Sequence, residues 1–230
     1  MKPVVMMTLL AFVAGGCGSR RSVDGGGGEA AGRLSPLYAS LFQKGKTFTY
    51  GWTFEVDSHA APDDEGGEAE AEAPSEPDER TVDCRVQDVV SFGDARVATV
   101  ECVARGEDAD DIIEPALSAT WVGSPKGLWL ADETIEDADG AMRLLDTEPF
   151  LPASPVEREW TEVIDGMDGE AEARHGIVRE GKGFCRVYED DEMYGSVERR
   201  CFLPGLGLAS AFFAGREGPS TESYGLDTTK

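Results

Sequence analysis

Two histidines, His59 and His175, and 21 basic residues against 45 acidic ones leave this chain of 230 residues with a formal net charge of −24. The shortage of Lys and Arg argues against a nucleic-acid binder, because phosphate backbones need cations opposite them. It argues equally against adhesion to anionic lipid through a basic patch. Catalytic signatures are missing too. There is no Gly-x-Ser-x-Gly elbow, no Cys-x-x-Cys pair and no Gly-x4-Gly-Lys-Ser/Thr phosphate loop. The apolar run near the N-terminus falls short of the roughly 20 residues that a helix needs to cross a bilayer. A hydrophobic fraction of 40% can nonetheless bury a core, and the length suits one domain with appendages.

Residues 1–16 read as a secretory signal: Lys2, an apolar run from Pro3 to Ala14, then Gly15-Gly16. Cys17 follows. Ala14-Gly15-Gly16-Cys17 resembles the lipobox of bacterial lipoproteins, with Ala14 standing where family members usually carry Leu. The resemblance implies that Cys17 is acylated and becomes the mature N-terminus. Several acyl chains give stable anchoring where one is marginal, so the expected partner is membrane lipid. Gly18 matches the outer-membrane sorting case of Gram-negative lipoproteins, where Asp is the usual inner-membrane retention signal. The expected address is therefore the cell envelope, at the outer membrane, facing the periplasm or the cell surface. An ordinary signal peptide with a chance cysteine is the other reading of the same residues. Residues 17–33, with the run Gly25 to Gly28, form a flexible tether.

From residue 34 the pattern is that of one β domain. Ser35-Pro36 opens a short helix, with Ser at the N-cap, Leu37, Leu41 and Phe42 on one face and Gly45 ending it. Thr47 to Val56 alternates with aromatics and reads as a strand. Residues 57–80 are acidic and of low complexity, expected as a solvated, disordered insertion; a cation-buffering or partner-binding loop is the functional alternative. Hairpins are expected for 82–90 with 95–104, Ala119–Val122 with Leu128–Ala131, Glu159–Ile164 with Ala171–Arg179, and Phe184–Tyr188 with Val197–Leu203. A last strand, Leu208–Ala214, is expected to pair with a tail near Ser223 to Leu226. Leu144 to Val156 holds three prolines and reads as an extended linker across one edge. The fold class is mainly β: an antiparallel meander with one short N-terminal helix.

Four cysteines remain after Cys17, and export permits disulfides. Cys84 and Cys102 are symmetric about Gly93, and Cys185 and Cys201 about residue 193. Opposite residues of an antiparallel pair bring their Cβ atoms close enough to bridge, so the expected bonds are Cys84–Cys102 and Cys185–Cys201. Trp121 and Trp129 are symmetric about Pro125 and read as a cross-strand aromatic pair, serving core packing or a ligand platform.

No catalytic residue, metal ligand or cofactor is assigned. Asp137-Ala138-Asp139-Gly140 echoes part of a calcium loop, but Ile135 and Asp146 stand where an EF-hand needs an acidic or amide residue and Glu. Asp108, Asp110, Asp111 and Glu114 form a second acidic knot. His59 and His175 read as structural or exposed.

Cys201-Phe-Leu-Pro-Gly-Leu-Gly-Leu208 is similar to an aromatic-x-Pro-Gly-Val-Gly-Leu/Val signature near the end of uncharacterised bacterial exported proteins and lipoproteins. The order of further features matches as well: Phe48, Tyr50 and Trp52; Gly127-Leu128-Trp129; Pro149 to Pro152; Trp160; and Gly183 to Cys185. The resemblance implies that the meander is a strongly curved antiparallel sheet or open half-barrel, and it implies no activity. Three functions follow. The first is a non-enzymatic envelope lipoprotein binding a hydrophobic small molecule or an envelope protein, with Trp52, Trp121, Trp129 and Trp160 as candidate ligand-binding residues. The second is a structural or assembly lipoprotein acting through protein–protein contacts. The third is a carboxylate-dependent hydrolase.

Overall fold

Alternation of apolar and polar residues dictates strands along most of the described residues, and a computed structural model shows how they join. It describes residues 33–56, 78–105, 116–131, 134–166, 169–190, 196–215 and 220–228. The signal, Cys17, the tether, His59, the acidic stretch from 57 to 77 and the acidic knot at 108–114 lie outside the described residues. The elements are β1 (Thr47–Val56), β2 (Asp78–Phe92), β3 (Ala95–Arg105), β4 (Ala119–Ser124), β5 (Gly127–Ala131), α1 (Ala138–Leu145), β6 (Leu151–Pro152), β7 (Arg158–Gly166), β8 (Gly169–Glu180), β9 (Gly183–Asp190), β10 (Val197–Leu203), β11 (Gly207–Ala214) and β12 (Ser220–Leu226). β2 begins at Asp78, so it takes the last three residues of the acidic stretch.

All twelve strands form one antiparallel sheet in the order β6-β5-β4-β3-β2-β1-β12-β11-β10-β9-β8-β7. The chain meanders outward from β1 to β6, crosses to the opposite edge at β7, and meanders back until β12 pairs with β1. The crossing is short. Residues 153–157 alone join the two ends of the sheet, and six peptide steps reach at most about 20 Å. A flat sheet of twelve strands would separate its edges by roughly 50 Å. The sheet must therefore curl until β6 and β7 approach, yet no ladder joins them, and the curl stays open. This is the expected half-barrel.

The concave side of the first wing, β1–β6, is apolar: Phe48, Tyr50, Trp52, Val82, Cys84, Val86, Ala98, Val100, Trp121 and Leu128 are all buried in one cluster. The chain's entry segment plugs it. Leu37, Tyr38, Leu41 and Phe42 are buried, and Tyr38 donates its hydroxyl to the carbonyl of Ser124 at 3.0 Å. Burial pushes the Tyr38 phenol up to about 12, so it stays a neutral donor. The expected helix is a single 3-10 turn, Ala39–Phe42, and the Ser35 side chain does not cap it. Its apolar residues are wedged inside the curve on more than one side, and Gly45, at φ +80°, turns the chain into β1 after one turn.

Two hairpins show how register is decided. Around Gly93-Asp94 the two-residue turn pairs Phe92 with Ala95. Continued unbroken, that register would set Cys84 against Val103. A bulge between Val86 and Asp88 shifts it by one and brings Cys84 opposite Cys102, with Cα atoms 4.0 Å apart and the disulfide formed. Cys185 and Cys201 face each other in an unbroken ladder and are bonded too. The β4–β5 hairpin has no such correction. Its turn is Pro125-Lys126, so Trp121 pairs with Leu130 and Trp129 with Val122. The expected Trp121–Trp129 pair does not form: a one-residue shift sends the two indoles to opposite faces.

Trp129 instead joins a second, smaller cluster on the convex side with Ala95, Val97, Val122 and Ala141. Ala141 belongs to α1, a helix the sequence reading did not anticipate. The stretch with the calcium-loop echo is the start of that helix: Asp137 Oδ1 accepts from Gly140 N at 2.7 Å, as an N-cap does.

Pro204-Gly205 and Gly207 make a turn and a close approach. Gly205 N donates to Pro36 O at 2.8 Å. Gly207 has φ +82°, and a Cβ there would lie 2.4 Å from Ser40 Oγ. Gly207→Ala is expected to cost about 1–3 kcal/mol of stability, read as a lower urea midpoint with the denaturant slope unchanged.

Candidate binding seam

The second wing, β7–β12, has a different concave face. Its register sets Trp160, His175, Tyr188, Glu198, Phe213 and Glu222 in one row. The next row reads Arg158, Ile177, Arg186, Arg200, Ala211 and Tyr224, and then meets Trp52 of β1. Charges thus point inward among aromatics. Where this face meets β5 and the residues before β6, two cavities of about 470 and 280 Å³ follow one another, with Leu130 lining both.

The larger cavity is bordered by Tyr188, Glu198, Arg200 and Phe213. Arg200 is buried, with Nε 2.8 Å from Glu198 Oε1 and its guanidinium over Phe213, Trp121 and Phe150 at 5.2, 5.5 and 6.0 Å. Desolvated cation–aromatic contacts of this kind are worth about 2 kcal/mol. They let a charge sit inside a wall rather than at a rim.

The smaller cavity is bordered by Glu148, Phe150, Trp160, Glu162, His175 and Arg186, with Leu130, Leu144 and Trp129 behind. The Trp160 indole and the His175 ring stack at 5.2 Å. The Arg158 and Arg186 guanidiniums lie 4.4 and 4.5 Å from the Trp160 ring. Arg158 is ion-paired with Glu148. Arg186 donates to Val187 O at 2.9 Å and sits 2.8 Å from His175 Nδ1. A guanidinium can only donate, so His175 Nδ1 accepts, the ring is neutral and its proton is on Nε2.

Charge and burial agree with that assignment. Burial first, then the Arg186 charge, lower the His175 pKa from 6.5, while Glu162 and Glu148 act the other way. The linkage follows. Above the unfolded value of about 6.5 both states are neutral and nothing is lost. As pH falls below it, the unfolded chain takes up a proton first, so stability declines down to the folded value. The difference in stability between the parent chain and His175→Gln is expected to narrow as pH falls from 7.5 to 5. A difference independent of pH would contradict the neutral ring.

Of the four tryptophans named from sequence, Trp52 and Trp121 are in the main core and Trp129 is in the convex cluster; all are at most 2% exposed. Only Trp160 is half-buried beside open space. Arg186, Arg200, Glu148, Glu162 and Phe150 were not anticipated. The alternation in Phe184-Cys-Arg-Val-Tyr188 places Phe184, Arg186 and Tyr188 on one face, which was the available signal.

Glu148 and Glu162 are the carboxylates that line the smaller cavity. Glu148 is tied to Arg158, and the Glu162 side chain is 63% exposed. Neither has the desolvated setting that a general acid needs.

The architecture is thus an open, curled antiparallel meander with a polar seam where its ends approach. No family model and no curated protein matches the chain. Among solved structures, an exported protein with a YmcC-like fold from Bacteroides fragilis aligns with 84% of this chain and 98% of its own, at 7% identity and a TM-score of 0.38. A lipoprotein from Parabacteroides distasonis aligns with 84% of this chain and 97% of its own, at 8% identity and a TM-score of 0.35.

Proposed function

We propose that the chain is a lipid-anchored envelope protein that acts as a non-enzymatic binding module. Export and acylation at Cys17 rest on the Ala14-Gly15-Gly16-Cys17 lipobox resemblance and the apolar run before it. The outer-membrane address rests on Gly18. The observation that carries the binding reading is the seam: open cavities lined by inward charges and half-buried aromatics, beside the large apolar cluster of the sheet. With Trp52 and Trp121 in that packing, the open space is amphipathic, which favours a polar ligand over a purely hydrophobic one.

An assembly role finds its support on the convex face of β7–β11. There a groove of about 730 Å³ presents Val178, Val187, Val197 and Phe212 between Arg174, Arg199, Glu159 and Glu189.

Native mass spectrometry of the Cys17→Ala chain exported to a bacterial periplasm tests the proposal. A retained small-molecule adduct is the expected result. A bare chain from every envelope extract would move the function to the groove. Globomycin-sensitive processing and a lipid mass on Cys17 test the anchor.

A further inference from the structure

We infer that β7 is a self-recognition strand: two copies of this chain pair edge to edge through residues 158–162, antiparallel and centred on Trp160. The inference goes beyond the binding-module reading and stands or falls without it.

β7 ends the sheet and is hydrogen-bonded to β8 alone. Which of its amides point outward follows from the ladders. Cys185 and Cys201 face each other with Cα atoms 3.9 Å apart, as in a non-hydrogen-bonded pair. Asp190 N donates to Ser196 O, so the even residues of β9 bond to β10. The odd residues of β9 therefore bond to the even residues of β8 opposite them. The odd residues of β8 bond in turn to Arg158, Trp160 and Glu162. Glu159, Thr161 and Val163 are left with N–H and C=O aimed away from the sheet, and all three are exposed. Such an edge is a template for another strand.

The side chains select the occupant. A twofold pairing must set outward residues against outward residues, so its axis passes through a single residue of β7. An axis at Arg158, Glu159 or Glu162 places like charges face to face, which is destabilising. An axis at Thr161 sets Trp160 against Glu162 and Arg158 against Ile164, with no charge pair on that face. The axis at Trp160 differs. It sets Trp160 against the partner's Trp160, Arg158 against the partner's Glu162, and Glu162 against the partner's Arg158. On the other face Glu159 meets the partner's Thr161. Beyond the ladder, Ile164 meets the partner's Val156, a residue 72% exposed in the single chain. The strand is thus complementary to itself, with an aromatic pair at the centre and an ion pair on each side. The Glu162 side chain is 63% exposed beside a neutral ring, so an arriving guanidinium supplies its cation. Arg158 has five donors and can keep Glu148 while taking the partner's Glu162. The row Tyr188, His175, Trp160 then continues into the same three residues of the partner.

A ladder this short falls below the roughly 1,200 Å² of stable interfaces, and a charge of −24 repels a second copy. The dimer is therefore weak when dilute and favoured where an anchor concentrates the chains.

Sedimentation velocity of the Cys17→Ala chain, from about 1 μM to about 1 mM, tests the inference. In about 0.15 M NaCl, charges more than roughly 8 Å apart are screened and direct pairs are not. A reversible monomer–dimer equilibrium is expected. Thr161→Pro removes an outward amide that β8 does not use, so the urea midpoint should hold. Association should fall about tenfold or more, because a symmetric dimer loses that bond twice. Arg158→Glu and Glu162→Arg should each weaken it about as much, and the double exchange should restore most of it. A merely structural role for either residue would not produce that rescue.

Monomers throughout the range overturn the inference; a peptide retained by such a monomer in native mass spectrometry gives the edge to a foreign strand. A dimer indifferent to Thr161→Pro overturns pairing through β7. A dimer that Thr161→Pro breaks and the double exchange does not rescue overturns the register centred on Trp160. The binding-module reading is untouched by each of these outcomes.

Discussion

Trp121→Ala is expected to remove about 3–5 kcal/mol of stability, the range for deleting a large aromatic from a packed core. The residue is 1% exposed. Its indole meets Phe150 and Phe202 edge-on, each at 5.8 Å, and the Arg200 guanidinium lies 5.5 Å from it. Trp121 belongs to β4 in one wing and Phe202 to β10 in the other, six strands apart in the sheet order. No ladder joins the sheet's ends, so contacts across the concavity must hold the curl. Besides the cavity, the variant strips Arg200 of one aromatic neighbour, and aromatic pairs add about 0.5–1.5 kcal/mol each beyond area. Urea unfolding of the variant measures the loss. A loss below about 1 kcal/mol, the level of surface changes, would mean that the wings do not pack through this residue. Trp160, half-buried at the seam, should cost less when replaced by Ala.

The second large effect is expected from Cys84→Ala/Cys102→Ala. The bond closes a loop with a sequence separation of 18. Constraining an unfolded chain at that length contributes about 3 kcal/mol, within a usual 2–4. Both sulfurs also sit in the main core, at 2% and 6% exposure, beside Phe48 in the cross-strand register. The double variant therefore loses core packing as well as the staple. Cys185→Ala/Cys201→Ala is the comparison. Its loop is nearly the same length, with a separation of 16. That bond lies outside both apolar clusters, against Glu180 and Arg199. The entropic part should match and the packing part should shrink, so the first variant should unfold at the lower urea concentration. Equal midpoints would show that chain entropy alone sets both.

The disulfides also show how far spacing could be read. Their pairings follow from symmetry about a hairpin centre, and both form. For Cys84 and Cys102 the symmetry holds only because a bulge at Gln87 compensates for a two-residue turn. The same arithmetic failed for Trp121 and Trp129, where a two-residue turn has no compensating bulge. Local sequence marks where a hairpin turns to within a residue. In a sheet one residue decides the face, so the pairing is beyond reach without the ladder itself.

Composition and alternation by themselves determined the mainly β class, the strand positions, the meander and the two disulfides. Each of these depends on neighbours in sequence: period-2 burial, turn residues and matched spacing. The tertiary structure alone decided that β12 returns to β1, that residues 153–157 draw the two edges together, and that α1 covers the convex side of β3–β5. It also decided the seam. Arg186, His175 and Trp160 are ordinary strand residues in sequence, on three different strands. They meet because cross-strand register aligns them, and Glu148 and Phe150 join them only because the sheet curls. Contacts between residues far apart in the chain are set by the global curvature of the sheet, which no local pattern encodes.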